Sequence, residues 1–176
     1  MKYINDSKYI LFILVSSLSI LFSETNELFS TQHVNYKIEV GIESITKSGD
    51  DYIITIYAVN PYDPIAGVQF KILPEDLFVI KEVYGGRTEE KDFQIHHNKS
   101  GTILGFSMVA NTLDKSTIVS GPEKEKQNIV LAIKANANNI QSYDLDTEII
   151  LECVFASKKG LVLESKYVPF KLSQIQ

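Results

Sequence analysis

From residue 36 onward, apolar and polar positions alternate with a period of two. In 36–43, Ile38, Val40 and Ile42 alternate with Lys37, Glu39 and Glu43. Successive side chains on a strand point to opposite sides, so this is the pattern of a strand with one buried face. Ser48-Gly49-Asp50-Asp51 is turn chemistry, and 52–59 is rich in the β-branched and aromatic residues of a second strand. Asn60-Pro61-Tyr62-Asp63-Pro64 breaks the pattern. Over 66–72, Val68, Phe70 and Ile72 share one face, and Gly67, Gln69 and Lys71 share the other. Further strands are expected at 77–84, 92–97, 102–109, 128–135, 148–156 and 167–172, with Gly85-Gly86, Asn98-Lys99-Ser100-Gly101, a looser stretch over 111–127 containing Gly121-Pro122, and Lys158-Lys159-Gly160 among the breaks. This alternation makes Phe70, Phe106 and Phe155 core residues and turns Ile103, Gly105 and Ser107 outward. Nine short strands with no long helix between them predict an all-β antiparallel sandwich rather than a parallel sheet.

The N-terminus follows a different pattern. Lys2 and Lys8 precede an uncharged 14-residue run, YILFILVSSLSILF (9–22), which Glu24 ends. That order reads as a secretory signal peptide over 1–23. The run is short of the roughly 20 apolar residues that a membrane span needs. Residues 24–33 are then a polar lead-in and 34–173 the sandwich domain. The expected location is outside the cell, at its surface, or in a periplasm. A membrane enters only if the signal stays uncleaved.

The whole chain has 176 residues, enough for one domain, and a net charge of −5, which argues against a nucleic-acid partner. The single cysteine, Cys153, excludes an intrachain disulfide and reads as a small hydrophobe in an apolar strand. His96 and His97 are neighbours on a strand and point to opposite faces, so they cannot readily chelate one metal, and His33 is far away. Asp50-Asp51, Glu75-Asp76, Glu89-Glu90 and Asp144/Asp146 match no EF-hand spacing; no cofactor is expected, and these turns leave room only for a loop calcium. Asn98-Lys99-Ser100 fits a glycosylation acceptor. Tyr62, Tyr84 and Tyr143 sit near strand ends or in loops. There is no G-x-S-x-G and no nucleophile with a recognisable base, so no enzyme is expected.

The stretch NPYDPIAGVQFKI (60–72) resembles the third strand of cohesin domains, with its apolar-x-Phe-x-apolar core. Pro74-Glu75-Asp76-Leu77 with 77–85 resembles the turn and strand that follow. Gly101-Thr-Ile-Leu-Gly-Phe-Ser-Met108 looks like the sixth strand, 128–135 the seventh, and 148–160 the eighth with its turn. The resemblance spans about 34–172. It implies a nine-stranded jelly roll that acts as a non-catalytic receptor for an extracellular protein module. The related carbohydrate-binding modules of the same architecture imply the alternative, a cell-surface polysaccharide. It also implies that recognition uses the sheet of the third and sixth strands, through Gly67, Gln69, Lys71, Ile103, Gly105 and Ser107. Where dockerin-binding cohesins present polar and acidic side chains on the third strand, this chain has Gly67, Gln69 and Lys71.

Overall fold

The structure is a computed structural model that describes residues 38–98, 101–117 and 128–176. The expected signal peptide and lead-in (1–33), His33, Lys99 and Ser100 of the glycosylation acceptor, and Gly121-Pro122 lie outside the described residues. Eleven strands are described: β1 (Ile38–Ser48), β2 (Asp51–Val59), β3 (Gly67–Leu73), β4 (Phe78–Tyr84), β5 (Gln94–His97), β6 (Thr102–Phe106), β7 (Ile129–Ala137), β8 (Glu148–Ala156), β9 (Val162–Leu163), β10 (Ser165–Val168) and β11 (Phe170–Lys171). A single helical turn, α1 (Gly86–Glu90), joins β4 to β5. Sheet one has the order β10-β1-β2-β7-β4. Sheet two has the order β11-β8-β3-β6-β5, with β9 also on β8. All pairings are antiparallel except β1 with β10. The all-β sandwich is therefore as the alternation predicts.

Several details differ from expectation, each for a local reason. The strand expected over 102–109 stops at Phe106, because Ser107 turns its hydroxyl onto the amides of Val109 (3.3 Å) and Asn111 (3.2 Å). The last expected strand, 167–172, is split. Val168 still pairs on sheet one and Phe170 pairs on sheet two, and Pro169, which has no amide hydrogen to give a ladder, sits at the crossing. The turn α1 was not anticipated. It is capped by Gly85 (φ 74°) and begins at Gly86 (φ 62°), and a side chain on Gly86 would meet the Val130 carbonyl oxygen at 2.5 Å. In β1 the register slips between Ile42 and Ser44. This bulge moves the buried positions from Ile38, Val40 and Ile42 to Ile45, so the strand keeps its apolar side on the core.

The core lies between the sheets. Sheet one contributes Ile38, Val40, Ile54, Ile56, Leu131 and Ile133, and sheet two contributes Val68, Phe70, Ile72, Ile103, Leu151 and Phe155. Phe70 and Phe155 meet edge-on, with centroids 5.6 Å apart and ring planes at 79°. Tyr167 on β10 bridges the sheets by donating its hydroxyl to the Ile149 carbonyl of β8. Beside it, Cys153 Sγ lies 3.5 Å from Ser165 Oγ, and burial pushes the thiol pKa up.

The end of the sandwich where β2 finishes is tied by a buried guanidinium. Arg87 donates to the Ala58 carbonyl (3.2 Å), to Asn60 Oδ1 (3.0 Å) and to the Asp114 carbonyl. Asn60 Nδ2 in turn donates to the carbonyls of Asp63 (2.8 Å) and Asp114 (3.1 Å). These groups would be costly to bury unpaired, and together they pin the 60–65 and 111–117 loops to β2. Burial lowers the Arg87 pKa.

Replacing Phe70 by Ala should cost roughly 3–5 kcal/mol in urea denaturation through lost burial and a cavity, whereas Phe106→Ala should cost less than about 1.5 kcal/mol. A second expectation concerns alkali. Burial pushes both Tyr57 and Tyr167 up to about 12, and Glu39, which accepts from Tyr57 Oη at 3.4 Å, adds to the effect at Tyr57. The unfolded chain releases these protons near pH 10, so between about pH 10 and 12 the folded state holds more protons and stability falls as pH rises. Urea midpoints measured against pH should decline across that window, and Tyr57→Phe with Tyr167→Phe should shallow the decline.

Candidate interaction face

The outer side of sheet two is fixed by register. Gln69 on β3, the central strand, pairs with Leu104 of β6 and Val154 of β8, and Leu104 pairs in turn with His96 of β5. Directly paired residues lie on the same face, so His96, Leu104, Gln69 and Val154 form one row across four strands. The next row toward the 60–65 loop is Gln94, Phe106, Gly67 and Ala156. On the other side come Thr102, Lys71 and Glu152, then Leu73 and Ile150. Leu104, Ile150 and Val154 are 43–45% exposed. His96 stacks on Phe106 with centroids 6.0 Å apart and planes at 26°. Lys71 pairs with Glu75 at 2.5 Å, and that hydrogen bond holds its ammonium above the usual lysine range, with Glu152 across the strand pair adding to the effect.

The facing expected for β3 matches this geometry: Gly67, Gln69 and Lys71 point outward. On β6 it is reversed. Ile103 is fully buried opposite Phe70, and Gly105 is buried opposite Val68. A Cβ on Gly105 would lie 2.7 Å from Ile95 Cδ1 and 2.8 Å from Val68 Cγ2. Ser107 lies beyond the strand and shapes the loop. Phe106, expected in the core, is only partly buried on the outer face. The physical reason is that β6 and β8 carry apolar residues at both parities, so a period of two cannot say which set is inside. Leu104, Ile150 and Val154, unassigned from the sequence, are the most exposed apolar side chains of the face, beside the partly buried Phe106.

The outer side of sheet one is different in kind. Asp51 sits between Lys81 (2.6 Å) and Lys134 (3.5 Å) and accepts from Asn136 (2.6 Å). The hydrogen bond from Lys81, aided by both lysine charges, holds its carboxyl below the usual carboxylate range. Of the other residues singled out in the sequence, His97 lies at the exposed edge on β5, and Tyr143 donates to Asp76 (2.5 Å). Among the described residues no group of three or more His, Cys, Asp or Glu side chains could hold a metal, and no helix is long and apolar enough to cross a membrane.

This two-sheet arrangement was compared with known proteins. Among solved structures, the chain is similar to the third ScaB cohesin of R. flavefaciens, solved in complex with a group 1 dockerin, at a TM-score of 0.50 and 12% identity, covering 78% of this chain and 96% of that one. The fold is cohesin-like. A non-cellulosomal cohesin from Archaeoglobus fulgidus aligns at 0.49 and 11%, covering 76% and 87%. The third cohesin of ScaC from Acetivibrio cellulolyticus, solved with the ScaB dockerin, aligns at 0.49 and 15%, covering 75% and 94%. No protein-family model and no curated protein matches the chain. On the cohesin-like frame, Gly105→Val should lower stability by about 1–3 kcal/mol through overpacking against Val68 and Ile95. Gln69→Glu, on the outer face, should change it by less than about 0.5 kcal/mol, and thermal melts of the two variants check the corrected facing of β6.

Proposed function

We propose that this protein is a non-catalytic, extracellular or cell-surface receptor module that binds a protein partner through the outer face of β8, β3, β6 and β5. The observation that carries this reading is the contrast between the two outer faces. Sheet one carries a paired charge cluster of Asp51, Lys81 and Lys134 on its outer side, and its exposed apolar groups, Val79 and Tyr84, lie on its edge strand β4. Sheet two presents Leu104, Val154 and Ile150 to water around a neutral centre at Gln69 and Gly67, with charge only toward Lys71 and Glu152. Exposed apolar side chains around an uncharged centre, with charge gathered toward one side, are the anatomy of a protein-binding surface, not of a pocket for a small substrate. The cohesin-like fold supports the same reading, and a dockerin module is the first partner class to test. Export rests on the charged and apolar order of residues 1–23.

The test is titration against isolated dockerin modules, together with pulldown from extracellular protein. Leu104→Glu with Val154→Glu should weaken capture by at least about 2 kcal/mol, roughly thirtyfold in Kd, with the fold intact. Unchanged binding in the folded double variant would move the interaction elsewhere. Retention on polysaccharide with no protein captured would replace this reading with that of a carbohydrate-binding module.

A further inference from the structure

Six large apolar side chains are far more exposed than the rest, and five of them gather at one end of the sandwich. Tyr62, Met108, Val109, Leu161 and Val162 are 59–73% exposed. The register brings them together. Gly67 at the start of β3 pairs with Phe106 at the end of β6 and Ala156 at the end of β8, and Ala156 pairs with Val162. The loops carrying Tyr62, Met108-Val109 and Leu161 therefore all leave the same edge of sheet two. Two of these loops are held by their own hydrogen bonds. Ser107 Oγ accepts from the Val109 and Asn111 amides, and Ser157 exchanges backbone bonds with Leu161 (2.8 Å) and Gly160 (2.9 Å). The apolar groups are thus projected into water by ordered turns.

We propose that this end is a docking tip for an anionic lipid bilayer, separate from the sheet face assigned above. Three features favour a bilayer over a protein groove. Tyr62, Met108-Val109 and Leu161 sit on three separate loops, with Val162 following Leu161 at the start of β9, a shape suited to insertion among lipid headgroups, and they include a tyrosine, an interfacial residue. Lys158 and Lys159 lie in the same turn as Leu161, and the cleft they line with Pro64 and Val162 holds one carboxylate, Asp63, against two ammonium groups. The chain also enters the domain here. Ile38 donates its amide to the Glu164 carbonyl at 3.1 Å, two residues from Val162, and in sequence the uncharged 9–22 run precedes it.

The chain contains no tryptophan, so one introduced residue is a clean reporter. Full-length Leu161→Trp and, independently, Met108→Trp are to be titrated with vesicles of phosphatidylcholine and phosphatidylglycerol. Leu145→Trp, at the opposite end and comparably exposed, is the control. The expected result is a blue shift and quenching by brominated lipid for the two tip reporters only. Lys158→Gln with Lys159→Gln in the Leu161→Trp chain should weaken that response on the order of tenfold. Tip reporters that stay as open to aqueous quencher as Leu145→Trp would overturn the proposal. A blue shift that grows with protein concentration without vesicles would also overturn it, assigning the tip to a second copy of the chain.

Discussion

Phe70 packs edge-on against Phe155 at 5.6 Å, and the functional side of the molecule is dictated by that contact. Both rings are fully buried, and a pleated strand cannot turn one side chain inward without turning its neighbours outward. With Phe70 inside, Gln69 and Lys71 must be outside. The β3–β8 register then places Val154 and Glu152 beside them, and the β3–β6 register places Leu104 and Thr102. With β3 held by Phe70, a slip of one residue in the β3–β6 pairing would expose Ile103 and bury Leu104, and a slip in the β3–β8 pairing would expose Phe155 and bury Val154. The outer face is thus an indirect product of core packing, held in place by the aromatic pair at its back.

This also explains how far the sequence could be read. On β3 one parity is Val68, Phe70 and Ile72, and the other is Gly67, Gln69 and Lys71, so a single strand reveals its own facing. On β6, Ile103, Leu104 and Phe106 straddle both parities, and the largest ring is not the buried one. What decides is Gly105, whose missing side chain lets Ile95 and Val68 close over it. That is a fact about three strands, invisible along one. The same holds for the face itself. The row His96, Leu104, Gln69 and Val154 draws on four segments spread from residue 69 to residue 154, and only pairing assembles it. The all-β class and the cohesin-like order were legible because they depend on strand count and spacing. The site depended on register.

Arg87 shows a second kind of limit. In the run Gly-Gly-Arg-Thr-Glu-Glu-Lys it reads as a solvated charge in a loop, and nothing about its neighbours suggests burial. Its guanidinium is nevertheless enclosed, because the loops after β2 and before residue 117 leave carbonyl groups without strand partners, and a planar, multi-donor cation can serve several at once. A lysine could not reproduce that fork. The end of the sandwich is therefore ordered by polar chemistry where the middle is ordered by apolar packing.

That ordered end and the sheet face are set at an angle by the fold. Strands run their length along the face and stop at the tip, so a surface built on loop ends lies across the strand axes, while the face lies along them. If the tip rests on a bilayer, the strands stand up from it and the outer side of sheet two looks along the membrane plane. A partner arriving there would meet Leu104, Gln69 and Val154 without displacing lipid. Sheet one, with its paired charges around Asp51 and its exposed apolar groups Val79 and Tyr84 confined to the edge strand β4, faces away from both contacts.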